Sequence, residues 1–126
     1  MFNLFSFGRY THHGTNVEST CPYPFEGPGG VLAHAYFPQD GRAHFDDDET
    51  FTHNTAQGTN LLWVAVHEFG HSLGLRHTNI GSAIIYPHYT GYIPDLQLHS
   101  DDIAGIQFLY GKIGRASCRE RVYVLV

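Results

Sequence analysis

Apolar and polar residues alternate with period two over short stretches in the first half of the chain, and helical spacing takes over only in the second half. Phe2, Leu4 and Phe7 are separated by polar residues, as in a short strand. Arg9 to Pro24, rich in Thr, His, Gly and Pro, reads as a loop. Val31 to Phe37 reads as a strand ended by Pro38, and Ala43 to Asp46 as another. Leu61 to Leu73 reads as a helix, with Asn60 suited to its N-cap and Gly74 to the left-handed residue that ends it. It is apolar on nearly every side, which predicts a buried helix with Leu62, Val66, Phe69 and Leu73 as the stripe against the sheet. Ser100 to Gly111 has an N-cap, two acids in its first turn, apolar residues at 103, 106 and 110 and a terminal glycine, the start and stop signals of a second helix.

Composition changes this picture little. The 126 residues make one domain, and 42% hydrophobic with 15% charged residues is ordinary for a soluble globular protein. No run of about 18 apolar residues exists to span a membrane. Met1 to Phe7 lacks the basic and apolar regions of a signal peptide. The two cysteines, Cys21 and Cys118, are too few for a disulfide framework. Charge divides the chain. Three cations, Arg9, Arg42 and Arg76, face eleven acids before residue 112, a net of −8 that argues against nucleic acid as a partner. Lys112, Arg115, Arg119 and Arg121 crowd the remainder. Ile113 to Val122 resembles the translation of a sequencing-library adapter, with a basic C-terminal arm as the alternative. Residues 112–126 are therefore set apart from a body of residues 1–111.

The candidate chemistry sits in Val66-His67-Glu68-Phe69-Gly70-His71-Ser72-Leu73-Gly74-Leu75-Arg76-His77. On a helix His67 and His71 lie roughly 40° apart on one face, one turn above the other, so both imidazoles can grip one ion. Glu68 is about 100° around from His67, a position for holding and deprotonating a water beside the metal rather than for ligation. A helix continued to His77 would carry it about 15 Å along and onto another face, so the helix must break, and Gly74 supplies the break that returns His77 to the ion. Three neutral imidazoles leave a fourth position open, the arrangement of a catalytic zinc.

This pattern resembles that of the metzincin metalloproteases, and with Thr78 after His77 it most resembles a matrixin, that is, a matrix metalloproteinase. The resemblance runs from about Phe2 to Gly111 and implies an α+β, zincin-like fold: a twisted mixed sheet packed on the zinc helix, plus a C-terminal helix, with the family's first strand, first helix and second strand expected to be missing from these residues. It further implies a structural zinc on His13, His34 and His44. The family's Asp partner falls on Thr15 if the motif is His13-Gly14-Thr15, or on Gly14 if it is His12-His13-Gly14, with Glu18 and Cys21 as other donors nearby. Phe25 to Tyr36 matches the family's calcium loop, which makes the Glu26 carboxylate, the carbonyls of Gly27, Gly29 and Val31, and the Asp46 and Glu49 carboxylates calcium ligands. Gly81 to Tyr89 resembles the turn beneath the zinc, with Ile85 where metzincins carry methionine. Leu32 and Ala33 would line a substrate cleft, and Pro87 and Tyr89 would wall the pocket for the side chain just after the scissile bond. The resemblance implies a secreted zinc endopeptidase of extracellular matrix proteins, with zinc and calcium as cofactors. Two other readings stay open: an inactive zinc-binding fragment of such an enzyme, and a histidine-rich metal store.

Overall fold

In the computed structural model residues 11–12 and 22–111 are described, so the strand expected around Phe2 to Phe7 and the segment from residue 112 lie outside them. The elements are β1 (Thr11–His12), β2 (Ala33–Ala35), β3 (Ala43–Phe45), β4 (Phe51–Thr52), β5 (Thr59–Asn60), α1 (Leu61–Ser72) and α2 (Ser100–Tyr110). β1, β3 and β2 form one sheet in that order, β1 parallel to β3 and β2 antiparallel to it with His34 opposite His44. The sheet is therefore mixed, as expected. β1 lies inside the stretch read as loop, because two residues paired with a strand some thirty positions on leave no periodic trace in the sequence. β2 and β3 are shorter than the runs Val31 to Phe37 and Ala43 to Asp46. Single hydrogen bonds, Tyr36 N–H to Arg42 O at 2.8 Å and Asp46 N–H to Leu32 O at 3.0 Å, carry the pairing one step beyond each end. β4 and β5 pair in parallel through a loop closed by Gly58 at φ 70°, where a Cβ would stand 2.8 Å from Thr50 O.

α1 starts where Asn60, in extended conformation, accepts Trp63 N–H on its side-chain oxygen at 2.9 Å. It packs on β2 and β3. The stripe that faces the core is Trp63, Val64, His67, Glu68 and Gly70, which corrects the expected one: Leu62 is 48% and Leu73 47% exposed. Trp63 and Val64 pack with Ala33 and Ile84, and Leu32, Phe45, Phe51, Val66, Tyr89 and Leu96 close around them. The buried face of α1 is set by geometry that carries two polar functional residues inward, and a reading that ranks faces by hydrophobicity alone rotates the helix away from them.

α2 is held differently. His99, not Ser100, caps it, accepting Asp101 N–H on Nδ1 at 3.1 Å, while the Asp102 carboxylate accepts His99 N–H at 2.8 Å. Its buried residue is Asp102, whereas Ile103 and Tyr110 are exposed. The Tyr110 hydroxyl donates to Leu73 O at 2.7 Å, and Gly105 lies against Leu75, where a Cβ would meet Cδ2 at 2.7 Å. This helix is docked at the exit of α1 by polar contacts and close backbone approach, so its apolar pattern says little about what it touches.

Candidate metal centre

α1 delivers His67 and His71 from one face, and the chain then turns back to add His77. Gly74, at φ 101°, makes the turn: Gly74 N–H bonds His71 O at 2.8 Å and Leu75 N–H bonds Gly70 O at 2.9 Å, the paired pattern that closes a helix on a left-handed residue. The three Nε2 atoms converge, His67 to His71 at 3.1 Å, His71 to His77 at 3.0 Å and His67 to His77 at 3.3 Å. Among the described residues this is the one group of three or more His, Cys, Asp or Glu ligand atoms all within 4.8 Å of one another.

The remaining ring nitrogens decide what the group can hold. His67 Nδ1 lies 2.7 Å from Ile84 O and His71 Nδ1 2.8 Å from Leu75 O. A carbonyl oxygen only accepts, so both Nδ1 atoms carry the proton and both Nε2 atoms present lone pairs to each other. Two lone pairs at such a distance repel unless a cation lies between them. Ligand nitrogens about 2.0–2.1 Å from a tetrahedral zinc stand about 3.3–3.4 Å apart, close to the separations here, so the donor set and its spacing fit zinc. Burial pushes the His67 pKa down to about 4, against the Ile84 carbonyl and with the repulsion of His71 and His77, and so keeps this imidazole neutral for ligation at ordinary pH. Desolvation, followed by the charges on His71 and His88, lowers His77 as well.

Glu68 is 5% exposed, and its Oε2 has no hydrogen-bond partner among the described residues. Burial alone raises its carboxyl to about 8. A desolvated acid in the cleft where three imidazoles converge is a group fitted to exchange protons.

The floor and walls follow from the turn after His77. Ile85 is 2% exposed and reaches under Gly70, where a Cβ would lie 2.8 Å from its Cδ1, so isoleucine fills the position expected for methionine. The buried Asp102 carboxylate accepts Ile84 N–H at 2.9 Å and Ile85 N–H at 3.2 Å. It thereby fixes the peptide whose carbonyl orients His67. Sequence reasoning took Asp102 for a complement to the helix dipole, and nothing in the sequence points across to residue 84. Trp63, also missed, stacks on His67 with ring centroids 5.3 Å apart and planes 15° apart.

A cleft of about 900 Å³ runs over this centre, lined by Leu32, Ala33, Pro87 and Tyr89 together with His67, Glu68, His71 and His77. All four expected substrate residues thus meet at the metal centre. β2 forms one wall and pairs only with β3 among the described strands.

The other expected sites come together in part. His34 Nε2 and His44 Nδ1 face each other at 3.2 Å across the β2–β3 pair. His13, Thr15, Glu18 and Cys21 lie outside the described residues. The glycine loop and the acidic run do approach: Glu49 Oε1 accepts Gly29 N–H, and Glu26 Oε2 accepts Val31 N–H at 3.4 Å. Asp46 is fully buried, with one oxygen on Asp48 N–H at 2.9 Å and the other without a partner among the described residues. The Glu26, Asp46 and Glu49 carboxylates do not gather into a cluster like that of the three histidines.

Comparison with known proteins agrees with this geometry. A family profile described as Matrixin matches residues 7–111. The chain is 56% identical over 105 residues to the hatching enzyme of Paracentrotus lividus, covering 83% of this chain and 17% of the relative. It is 51% identical over 104 residues to matrix metalloproteinase-19 of Homo sapiens, covering 82% and 20%, and 52% identical over 112 residues to stromelysin-3 of Mus musculus, covering 86% and 21%. The chain spans about a fifth of the length of these curated relatives.

Proposed function

The chain belongs to the matrixin family, and from that footing we propose that residues 1–111 are part of the catalytic domain of a secreted zinc endopeptidase that cleaves extracellular matrix proteins. The observation that carries the reading is the convergence of three imidazole nitrogens at 3.0–3.3 Å in a cleft of about 900 Å³ that the buried Glu68 carboxylate also lines. His67, His71 and His77 would hold the zinc. When bound, zinc supplies Lewis acidity to the scissile carbonyl and to a water at the open position. Glu68 would take a proton from the attacking water and later deliver it to the leaving nitrogen, a shuttle to which a desolvated carboxylate is suited. The edge of β2 away from β3, which no described strand covers, binds an extended peptide through backbone hydrogen bonds, so many sequences can be accepted. Ala33 belongs to β2 and Leu32, whose carbonyl accepts Asp46 N–H, immediately precedes it; both line the cleft, and Pro87 and Tyr89 wall the pocket beyond the cleaved bond.

His34 and His44, with His13, would hold a structural zinc, and Glu26, Gly27, Gly29, Val31, Asp46 and Glu49 a calcium ion. Glu49 on Gly29 and Glu26 on Val31 support the second by tying carboxylates to the turn whose carbonyls would share the ion. No helix among the described residues is long and apolar enough to cross a membrane.

The test is hydrolysis of a fluorogenic peptide by the zinc-loaded chain with a chelator control, beside Glu68→Gln. Chelator-sensitive cleavage that falls at least 100-fold in Glu68→Gln with unchanged zinc content is the expected result, since base catalysis normally contributes that much. Zinc binding without cleavage would support the inactive-fragment reading instead.

A further inference from the structure

The cleft has two unlike ends. Over the start of α1, Tyr89 meets Trp63 edge to face at 5.2 Å and its hydroxyl accepts Asn60 N–H at 2.8 Å. At the other end, past β2 and the last turn of α1, Phe37 meets His71 edge-on at 5.8 Å, and the Arg76 guanidinium lies over the Phe37 ring at 5.7 Å. We propose that Arg76 determines substrate specificity, giving the cleft a preference for peptides with an acidic side chain on the N-terminal side of the scissile bond. This rests on the peptidase reading above.

Three observations carry it. The backbone around Arg76 is pinned on both sides, by Leu75, which bonds Gly70 O through its N–H and His71 Nδ1 through its carbonyl, and by His77, whose Nε2 belongs to the metal centre. Arg76 is exposed and makes no ion pair with a described carboxylate, and among the described residues it is the one Lys or Arg lining the cleft and the buried Glu68 the one carboxylate. A guanidinium lying over an aromatic ring keeps its N–H groups, which radiate in the guanidinium plane, free for a carboxylate. The side of the bond follows from the two ends. If the pocket at Pro87 and Tyr89 takes the residue after the scissile bond, the peptide's N-terminal half passes Phe37 and Arg76. That is also the direction of a peptide antiparallel to β2, whose C-terminal end leads to Phe37.

The zinc-loaded full chain would be tested with fluorogenic peptides identical except for Glu, Gln or Lys two or three residues before the scissile bond. A matching set of non-cleaved hydroxamate peptides would be read by fluorescence anisotropy. An exposed charge pair contributes a factor of roughly two to five, and repulsion of Lys adds a similar factor. Glu should therefore be favoured over Lys about four- to twenty-fivefold in kcat/KM and in hydroxamate affinity, with Gln between. Arg76→Glu should reverse the order, Arg76→Lys should keep its sign, and 1 M salt, where the screening length is about 3 Å, should flatten it. Binding with no order among the three, or with the same order in Arg76→Glu, overturns the role of Arg76 alone. Failure to bind any hydroxamate overturns the peptidase reading and this proposal together.

Discussion

Glu68 and Asp102 are both buried carboxylates on helices, and their surroundings assign them opposite tasks. Asp102 accepts three backbone N–H groups, from His99, Ile84 and Ile85. Those hydrogen bonds turn the residue into a strut between α2 and the turn that carries Ile84. Asp102→Asn keeps the shape but sets an amide N–H against a backbone N–H, so it should cost about 2–3 kcal/mol in urea unfolding of the metal-free chain. Because the Ile84 carbonyl orients His67, it should also weaken zinc about tenfold or more in a competition titration. Glu68 has desolvation and, among the described residues, no compensating donor on Oε2. Its pKa is raised by folding, so the folded chain holds this proton more tightly than the unfolded one. The residue costs nothing below about pH 4.5, where both states are protonated, costs progressively more as pH rises, and reaches its full cost above about 8. Metal-free Glu68→Gln should match the unmodified chain in stability near pH 4 and exceed it by roughly 3–5 kcal/mol near pH 9. Equal stability at both ends, by urea unfolding, would mean that Glu68 is solvated.

At the scale of elements, α1 and the turn that ends it act as one device. The helix sets two ligands, and the left-handed Gly74 aims the third while presenting the Leu75 carbonyl that orients His71. A side chain at φ 101° strains the backbone, and the Cβ would also contact Leu109 at 3.4 Å and Pro38 at 3.6 Å. Gly74→Ala should therefore cost about 1–2 kcal/mol. Its effect on zinc affinity should exceed its effect on metal-free stability, because His71 and His77 both depend on this turn. Melting curves with and without chelator, beside a zinc titration, would check this, and a variant that melts lower yet binds zinc unchanged would uncouple the turn from the site. α2 contributes through Asp102 and Tyr110, one at each end, and neither contact follows the apolar spacing by which the helix was recognised.

For the whole molecule, the question is how far metal replaces core. Among the described residues the buried apolar cluster beside α1 is four residues with half-buried neighbours, so ligand binding adds visibly to net stability. An ion at 100 times its Kd adds about 2.7 kcal/mol, and chelation should lower the melting temperature by a clear margin. The number of ions is a separate prediction. His67, His71 and His77 converge, whereas the proposed structural site pairs His34 with His44 and, by the family resemblance, has Thr15 or Gly14 at the sequence position of its carboxylate. Elemental analysis after dialysis against a weak chelator should give nearer one zinc than two, and Thr15→Asp should raise the count toward two. Two tightly held zincs in the unmodified chain would show that Glu18, Cys21 or another residue of that segment ligates.

Local rules carried much of this into the sequence. The four-residue spacing of His67 and His71, the cap at Asn60 and the helix break at Gly74 are each decided within a turn of chain, where backbone geometry leaves few choices. The mixed sheet, the family and the residues lining the cleft were legible too, through motifs such as Phe25 to Tyr36 and Gly81 to Tyr89 whose order along the chain carries the pattern. Tertiary structure alone decided which face of α1 is buried, since Trp63 and Val64 pack inward with two polar residues while Leu62 and Leu73 stay in solvent. It also decided that Asp102 holds the turn under His67, that β1 pairs with β3, and that Arg76 lies over Phe37 in the cleft. Those relations join residues separated by eighteen, thirty-three and thirty-nine positions, and the chemistry of each side chain is indifferent to which distant partner it meets until packing brings the two together.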